Sequence, residues 1–267
     1  MNNNSINKTA LFESNKGFDS VATTYSRVSE KIPSDYIDLI RRVFDIDKKT
    51  PIIDLGCGSG LLTFELRNLS DTVQGLDASR EMIRIARQRD SNSKITWICK
   101  PVEGFIFKKE FYSLIISFES FHLFPDYLTL IKRVYSALND HGFFCIGWCR
   151  HHWEDFLKSC ITESFKDFGI LWDDWAYQSC PFFEDILQQS CLPFSDMRTE
   201  RIIVPLTSNI HSVAQYLTCI HKAQALNEEQ KMNLAKSLEQ KFLELSHSDH
   251  LSGESTYFIS YVSKRTE

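Results

Sequence analysis

The string PIIDLGCGSG (51–60) sets three glycines, Gly56, Gly58 and Gly60, behind an apolar run that stops at the acid Asp54. A strand that ends in glycines and passes into a helix makes a ligand cradle at its tip. Bare backbone allows close approach, and the first helical N–H groups carry the positive end of the helix dipole. In open α/β sheets ligands lie beyond the carboxyl ends of the strands. Asp77, ending the next apolar stretch, is placed to accept hydrogen bonds from ribose hydroxyls. These features alone also fit a dinucleotide site. The spacing leans elsewhere: GxGxxG requires a glycine where this chain has Leu61. Asp54 would repel a pyrophosphate but suits a ligand carrying an ammonium or sulfonium charge.

Further groups able to do chemistry follow. The segment SFESFHLF (117–124) contains Glu119 and His122. His122 is the first candidate for a general base, with Glu119, His151 and His152 behind it. His151 and His152 are adjacent and point to different sides of a strand or helix, which makes a poor metal site; no metal is expected. The eight cysteines are scattered without a CxxC pair and read as buried thiols. In CIGWC (145–149) the two thiols share one face of a strand.

The elements that must position these groups alternate. Strands are expected at 51–55, 72–77, 94–99, 111–118 and 143–149. Helices are expected at 18–32, 34–46 (after the breaker Pro33, with Ser34 and Asp35 as caps), 61–69, 79–90 and 126–139. Such alternation implies βαβ units and a parallel sheet covered on both faces. Beyond residue 150 the pattern loosens. Helices are expected at 152–168 and 182–190, and strands at 198–206 and 255–265. Between those strands lie two helical segments, 210–226 and 228–245, the second with an Asn227/Gln230 capping box. This insertion, about 208–250, reads either as a lid or as packing decoration. Trp153, Trp172, Trp175, Tyr177, Phe182 and Phe183 either line an apolar pocket or pack that lid on the sheet.

With 267 residues, 43% hydrophobic and 24% charged, the chain suits a globular α/β fold. The net charge of −5 without a basic block argues against nucleic acid. The polar start and the lack of a long apolar run give no secretory signal and no membrane span, so a cytoplasmic place is expected.

IIDLGCGSG resembles the first motif of the class I S-adenosylmethionine-dependent methyltransferases, VQGLDASREMI their second and FYSLIISFESFHLF their fourth. The resemblance covers roughly residues 18–150. It implies a Rossmann-like, seven-stranded, mostly parallel sheet with helices on both faces, an antiparallel last strand and a helical lid. It divides the chain into cofactor-covering helices (1–50) and the methyltransferase domain (51–267). The glycines and Cys57 would hold the methionine part of S-adenosylmethionine and Asp54 its ammonium end. Asp77 and Ala78 would meet the ribose, and Met82 the adenine; the alternative for Met82 is a plain helix-core residue. Many relatives carry an acid where this chain has Pro101, so Val102 backbone or Glu103 would replace that contact. Ser117 and Phe118 would flank the sulfonium, and Phe18 and Tyr25 would close over the methionine end. SFHLF is similar to a segment of the trans-aconitate and biotin-pathway group, which turns His122 toward the substrate.

The fourth motif lacks the Asp/Asn–Pro–Pro–aromatic string of enzymes acting on base amines or glutamine amides. A small-molecule acceptor is therefore the first expectation, with S-adenosylhomocysteine as the second product. Carboxyl methylation of a malonyl group on an acidic carrier protein is the alternative within enzymes; Arg41, Arg42 and Lys222 are too few to decide it. A non-catalytic S-adenosylmethionine-binding protein and a nicotinamide oxidoreductase are the readings from other classes.

Overall fold

A computed structural model describes residues 8–92, 94–172 and 181–265. Helices α1 (Lys8–Val28) and α2 (Ser34–Val43) lead into β1 (Ile52–Leu55), α3 (Leu61–Leu69), β2 (Val73–Asp77), α4 (Arg80–Arg89) and β3 (Thr96–Cys99). Next come β4 (Tyr112–Phe118), α5 (Tyr127–Ala137), β5 (Leu138–His151), α6 (Trp153–Lys166) and α7 (Pro181–Ser190). The chain closes with β6 (Arg198–Asn209), α8 (Ile210–Cys219), α9 (Glu228–Ser246) and β7 (His250–Ser263). Among the described residues, seven strands form one sheet in the order β3-β2-β1-β4-β5-β7-β6. β1 to β5 pair in parallel. β7 runs antiparallel to both of its neighbours, β5 and β6, so it alone is reversed.

Strand alternation sorts the core into two faces. Ile52, Leu114, Ile116 and Cys145 pack toward one side with Tyr36, Leu39 and Ile40 of α2 and Leu62 and Leu66 of α3. Ile53, Ile115 and Phe144 pack toward the other with Leu130, Ile131 and Val134 of α5 and Phe183 of α7. Both faces are covered, which is why β4 reads as nearly continuous apolar sequence.

Several boundaries differ from the sequence expectation. α1 starts at Lys8, earlier than residue 18. Pro33 itself takes the N-cap place of α2, and neither Ser34 nor Asp35 caps it by side chain. β5 begins at Leu138, since the chain passes through His141 at φ +62° and Gly142 while already paired to β4. α8 ends at Cys219, and a 3₁₀ turn, 221–225, replaces the expected continuation. The Asn227/Gln230 capping box forms with both reciprocal bonds.

The insertion between β6 and β7 has a core of its own, and α6 belongs to it. Leu157, Ile161 and Phe165 of α6 meet Ile210, Ala214 and Leu217 of α8 and Leu234, Leu238 and Phe242 of α9. Of the aromatic residues expected there, Trp172 packs on Phe165 with ring centroids 4.9 Å apart. Phe183 instead joins the sheet core. Trp175 and Tyr177 lie outside the described residues, as do the side chains of Trp153 and Phe182. Phe242 is fully buried in this second core. Phe242→Ala is expected to cost about 3–5 kcal/mol of folding stability, read as a lowered urea midpoint.

Candidate functional site

The β1–α3 turn is built from three glycines that do two different jobs. Gly56, at φ +71°, faces Ser120: a Cβ there would stand 2.5 Å from the Ser120 side chain. Gly60, at φ +88°, is the N-cap of α3, and a Cβ would meet Trp97 at 2.6 Å. Gly58, at φ +53°, has nothing within 4 Å of its Cβ position. So only the middle glycine opens onto free space, and the outer two let the turn pack closely.

That space is a cavity of about 450 Å³ beyond the carboxyl ends of β1, β2, β4 and β5. On its floor Asp77 joins two turns. Its Oδ2 accepts from Gly58 N and its Oδ1 from Ser79 N, each at 2.8 Å. Each oxygen keeps a lone pair for a further donor. Burial pushes the Asp77 carboxyl above the usual range against those two bonds. Asp54 is buried beside it and accepts from Thr63 Oγ1 at 2.7 Å. Burial pushes Asp54 up to about 7, with Asp77 adding and the Thr63 bond opposing. The Ser59 hydroxyl is buried with no protein partner among the described residues. A buried orphan hydroxyl, an open glycine and two carboxyls together form a cradle that fits a polar, cation-bearing ligand.

Of the residues singled out from the sequence, Tyr25, Asp54, Gly56, Cys57, Gly58, Asp77, Ala78 and Met82 line this cavity. So do Phe18, Val102, Glu103, Phe118, Glu119 and His122. Gly60 and Ser117 do not. Gly60 is turned into the Trp97 packing, and Ser117 is fully buried with its hydroxyl 2.7 Å from Ser120 Oγ. Ser120, which the sequence reading passed over, takes the lining place, anchored by donating to Leu55 O at 2.7 Å. The Val102 carbonyl accepts from Arg133 Nη1 at 2.9 Å, which fixes the loop after β3.

At the other end Glu119 leaves β4 with φ +53°. Its N–H donates to Gly147 O at 2.9 Å and its carboxylate accepts from Cys149 N. Burial pushes Glu119 up to about 7. His151 lines the cavity and its Nδ1 lies 2.7 Å from Ser255 Oγ. Burial, with His152 adding, holds His151 down at about 4, so it is neutral at ordinary pH. His152 points away and bonds Thr256 Oγ1 at 2.7 Å. Among the described residues no group of three or more His, Cys, Asp and Glu side chains could hold a metal ion.

The roof comes from distant parts of the chain. Asp19 of α1 accepts from Ser79 Oγ at 2.6 Å and from Glu81 N at 3.1 Å, at the start of α4. Tyr25 meets Tyr216 of α8 with ring centroids 5.8 Å apart, and Arg27 donates to Gln215 Oε1 at 2.9 Å. Asp19, Ser120 and Tyr216 carried no sequence signal, because their roles depend on which segments the fold brings together.

Residues 52–142 match the family described as a methyltransferase domain. The chain is 27% identical over 205 residues to the malonyl-[acyl-carrier protein] O-methyltransferase of Priestia megaterium, covering 75% of this chain and 70% of that one. Residues 52–142 are thus a methyltransferase domain, and the chain is similar to the class I S-adenosylmethionine-dependent methyltransferases. The same-named protein of Bacillus cytotoxicus is 29% identical over 51% of this chain and 48% of its own. Two solved structures share the methyltransferase fold. Phosphoethanolamine N-methyltransferase 2 of Haemonchus contortus, in complex with S-adenosyl-L-methionine, has a TM-score of 0.54 and 14% identity, covering 93% of this chain and 57% of that one. The [4+2]-cyclase SpnF has a TM-score of 0.56 and 13% identity, covering 96% and 97%. Likeness at that level fixes the methyltransferase fold alone.

Three outcomes are expected at this site. Asp77→Ala weakens S-adenosylhomocysteine binding by about 1–3 kcal/mol in calorimetry; unchanged affinity contradicts the assignment. Gly60→Ala costs about 2 kcal/mol or more in denaturant unfolding, and Gly58→Ala less, because only the former collides. The folded state binds the Asp54 proton more tightly than the unfolded chain, whose carboxyl titrates near 3.8. Ligand-free protein therefore loses stability as pH rises from about 4 to about 7. In Asp54→Asn the unfolding temperature falls less between pH 5 and pH 8 than in the wild type.

Proposed function

We propose that the protein transfers a methyl group from S-adenosylmethionine to a small organic acceptor seated between the tips of β4 and β5 and the α8 lid. One observation carries this reading. A single cavity runs from the Gly58/Asp77 cradle to residues Glu119, His151 and Tyr216, so donor and acceptor can share one continuous space. S-adenosylmethionine, when bound, supplies a methyl group on a sulfonium that leaves without protonation. The chain's own work is then to hold, orient and exclude water. Asp77 receives the ribose hydroxyls, Met82 and Val102 flank the adenine, and Asp54 with Tyr25 attends the ammonium end. Glu119 and His122 are the groups proposed to take a proton from the acceptor. The described cysteines are all free thiols, in keeping with a cytoplasmic setting.

A second reading is O-methylation of a malonyl group presented by a carrier protein. The Priestia megaterium relative, with its 75% coverage of this chain, favours it. The two separate in one assay. Pure protein with methyl-labelled donor is offered a metabolite extract and, separately, a malonylated carrier protein, and the labelled product is identified by mass. Label on a free small molecule supports the first reading, and label on the carrier supports the second.

Within the first reading, Glu119→Gln and His122→Ala separate base from scaffold. Loss of a general base lowers kcat by about 10²-fold or more while S-adenosylhomocysteine affinity stays within about threefold. A parallel loss of both marks a structural role for that residue.

A further inference from the structure

The acceptor end of the cavity has a charge pattern that selects among acceptors. Glu119 is held in the left-handed region at φ +53° by its N–H bond to Gly147 O and by the Cys149 N–H on its carboxylate. A non-glycine residue held there is over-determined by its surroundings, as functional residues often are. Glu30, just after α1, also lines the cavity, and its carboxylate accepts from Ser208 Oγ, the penultimate residue of β6. Tyr257 lies within the field of both: burial pushes its hydroxyl up, and Glu30 and Glu119 each add to that. The rings of Tyr25 and Tyr216 stand on the same wall.

Cations are scarce in this wall. Among the described lining residues there is no arginine. Lys100 follows β3 at the adenine end, and Lys222 sits 5.3 Å over the Trp172 ring. His151 is held neutral by its burial. A carboxylate entering this space would face two carboxyls whose own ionisation burial already disfavours, with no guanidinium to receive it and the Lys222 ammonium drawn over Trp172, an unfavourable desolvation and a like-charge cost. An ammonium would meet opposite charge and aromatic faces, both attractive to it.

Resting on the methyltransferase reading above, we propose that the acceptor is an amine, bound as its ammonium between Glu119, Glu30 and the ring faces of Tyr216 and Tyr257. The ammonium gives one proton to the Glu119 carboxylate, and its freed lone pair forms the N–C bond as the C–S bond breaks. The sulfur keeps that electron pair as a neutral thioether. The N-methylammonium carries the positive charge away, and Glu119 returns its proton to solvent.

Binding tests this without relying on turnover. Wild-type protein saturated with S-adenosylhomocysteine is titrated calorimetrically with three probes that share a ring and differ in head group: phenethylamine, 2-phenylethanol and 3-phenylpropionate. Phenethylamine is expected to bind about tenfold tighter than 3-phenylpropionate, with the alcohol between. Glu119→Gln keeps the shape and an oxygen for the Cys149 N–H, and is expected to erase most of that preference while S-adenosylhomocysteine affinity holds. Equal, absent or carboxylate-favouring binding overturns the amine assignment, as does a preference that survives Glu119→Gln. A protein that ignores S-adenosylhomocysteine overturns the methyltransferase reading instead, so the two failures are distinguishable.

Discussion

The Asp77 carboxylate is the joint on which the cavity depends. It grips Gly58 N and Ser79 N from the tip of β2. One bond fixes the turn before α3, and the other fixes the turn before α4. Two helix starts are thereby held at one carboxylate, and at α4 the N–H groups of Glu81 and Met82 are taken in turn by Asp19 and the Ser79 hydroxyl. The arrangement concentrates acid where water is largely excluded: Asp54 and Asp77 are both raised by burial. Burying two carboxyls side by side costs free energy, and a ligand bringing hydroxyl donors and positive charge offsets part of that cost.

Over this floor lies a roof assembled from elements far apart in sequence. Asp19 closes the start of α4, Tyr25 meets Tyr216, and Arg27 meets Gln215. The sheet side is rigid, with both faces packed. The roof side stands on a separate small core shared by α6, α8 and α9. Helix α1 bridges the two, packing against α4 on the sheet side and against α8 on the roof side. One wall of the cavity thus belongs to the sheet and the other to a separately cored helical layer.

Local patterns made the floor legible in the sequence. Glycines behind an apolar run, an acid at the next strand tip and a strict alternation of strands and helices are all short-range signals, and the parallel sheet and the cradle follow from them; the seven-stranded sheet with its reversed strand came from the family resemblance. Gly60 and Ser117 show the limit of that reading. Their types suited a ligand contact, yet the fold turns one into Trp97 and the other into Ser120. Which way a small residue faces is set by packing, not by its motif. Asp19, Glu30 and Tyr216 were not legible at all, because nothing in their neighbourhoods announces the partner across the cavity. The same holds for α6, whose apolar face reads like any amphipathic helix until α8 and α9 arrive beside it.

Donor binding stands or falls on whether the cradle between Gly58 and Asp77 receives an adenosyl ligand. The most direct measurement is calorimetric titration of the purified wild-type chain with S-adenosylhomocysteine at neutral pH. One-to-one saturable binding, with a matching rise in unfolding temperature, is the predicted result. No heat and no stabilisation at millimolar ligand would contradict the central claim.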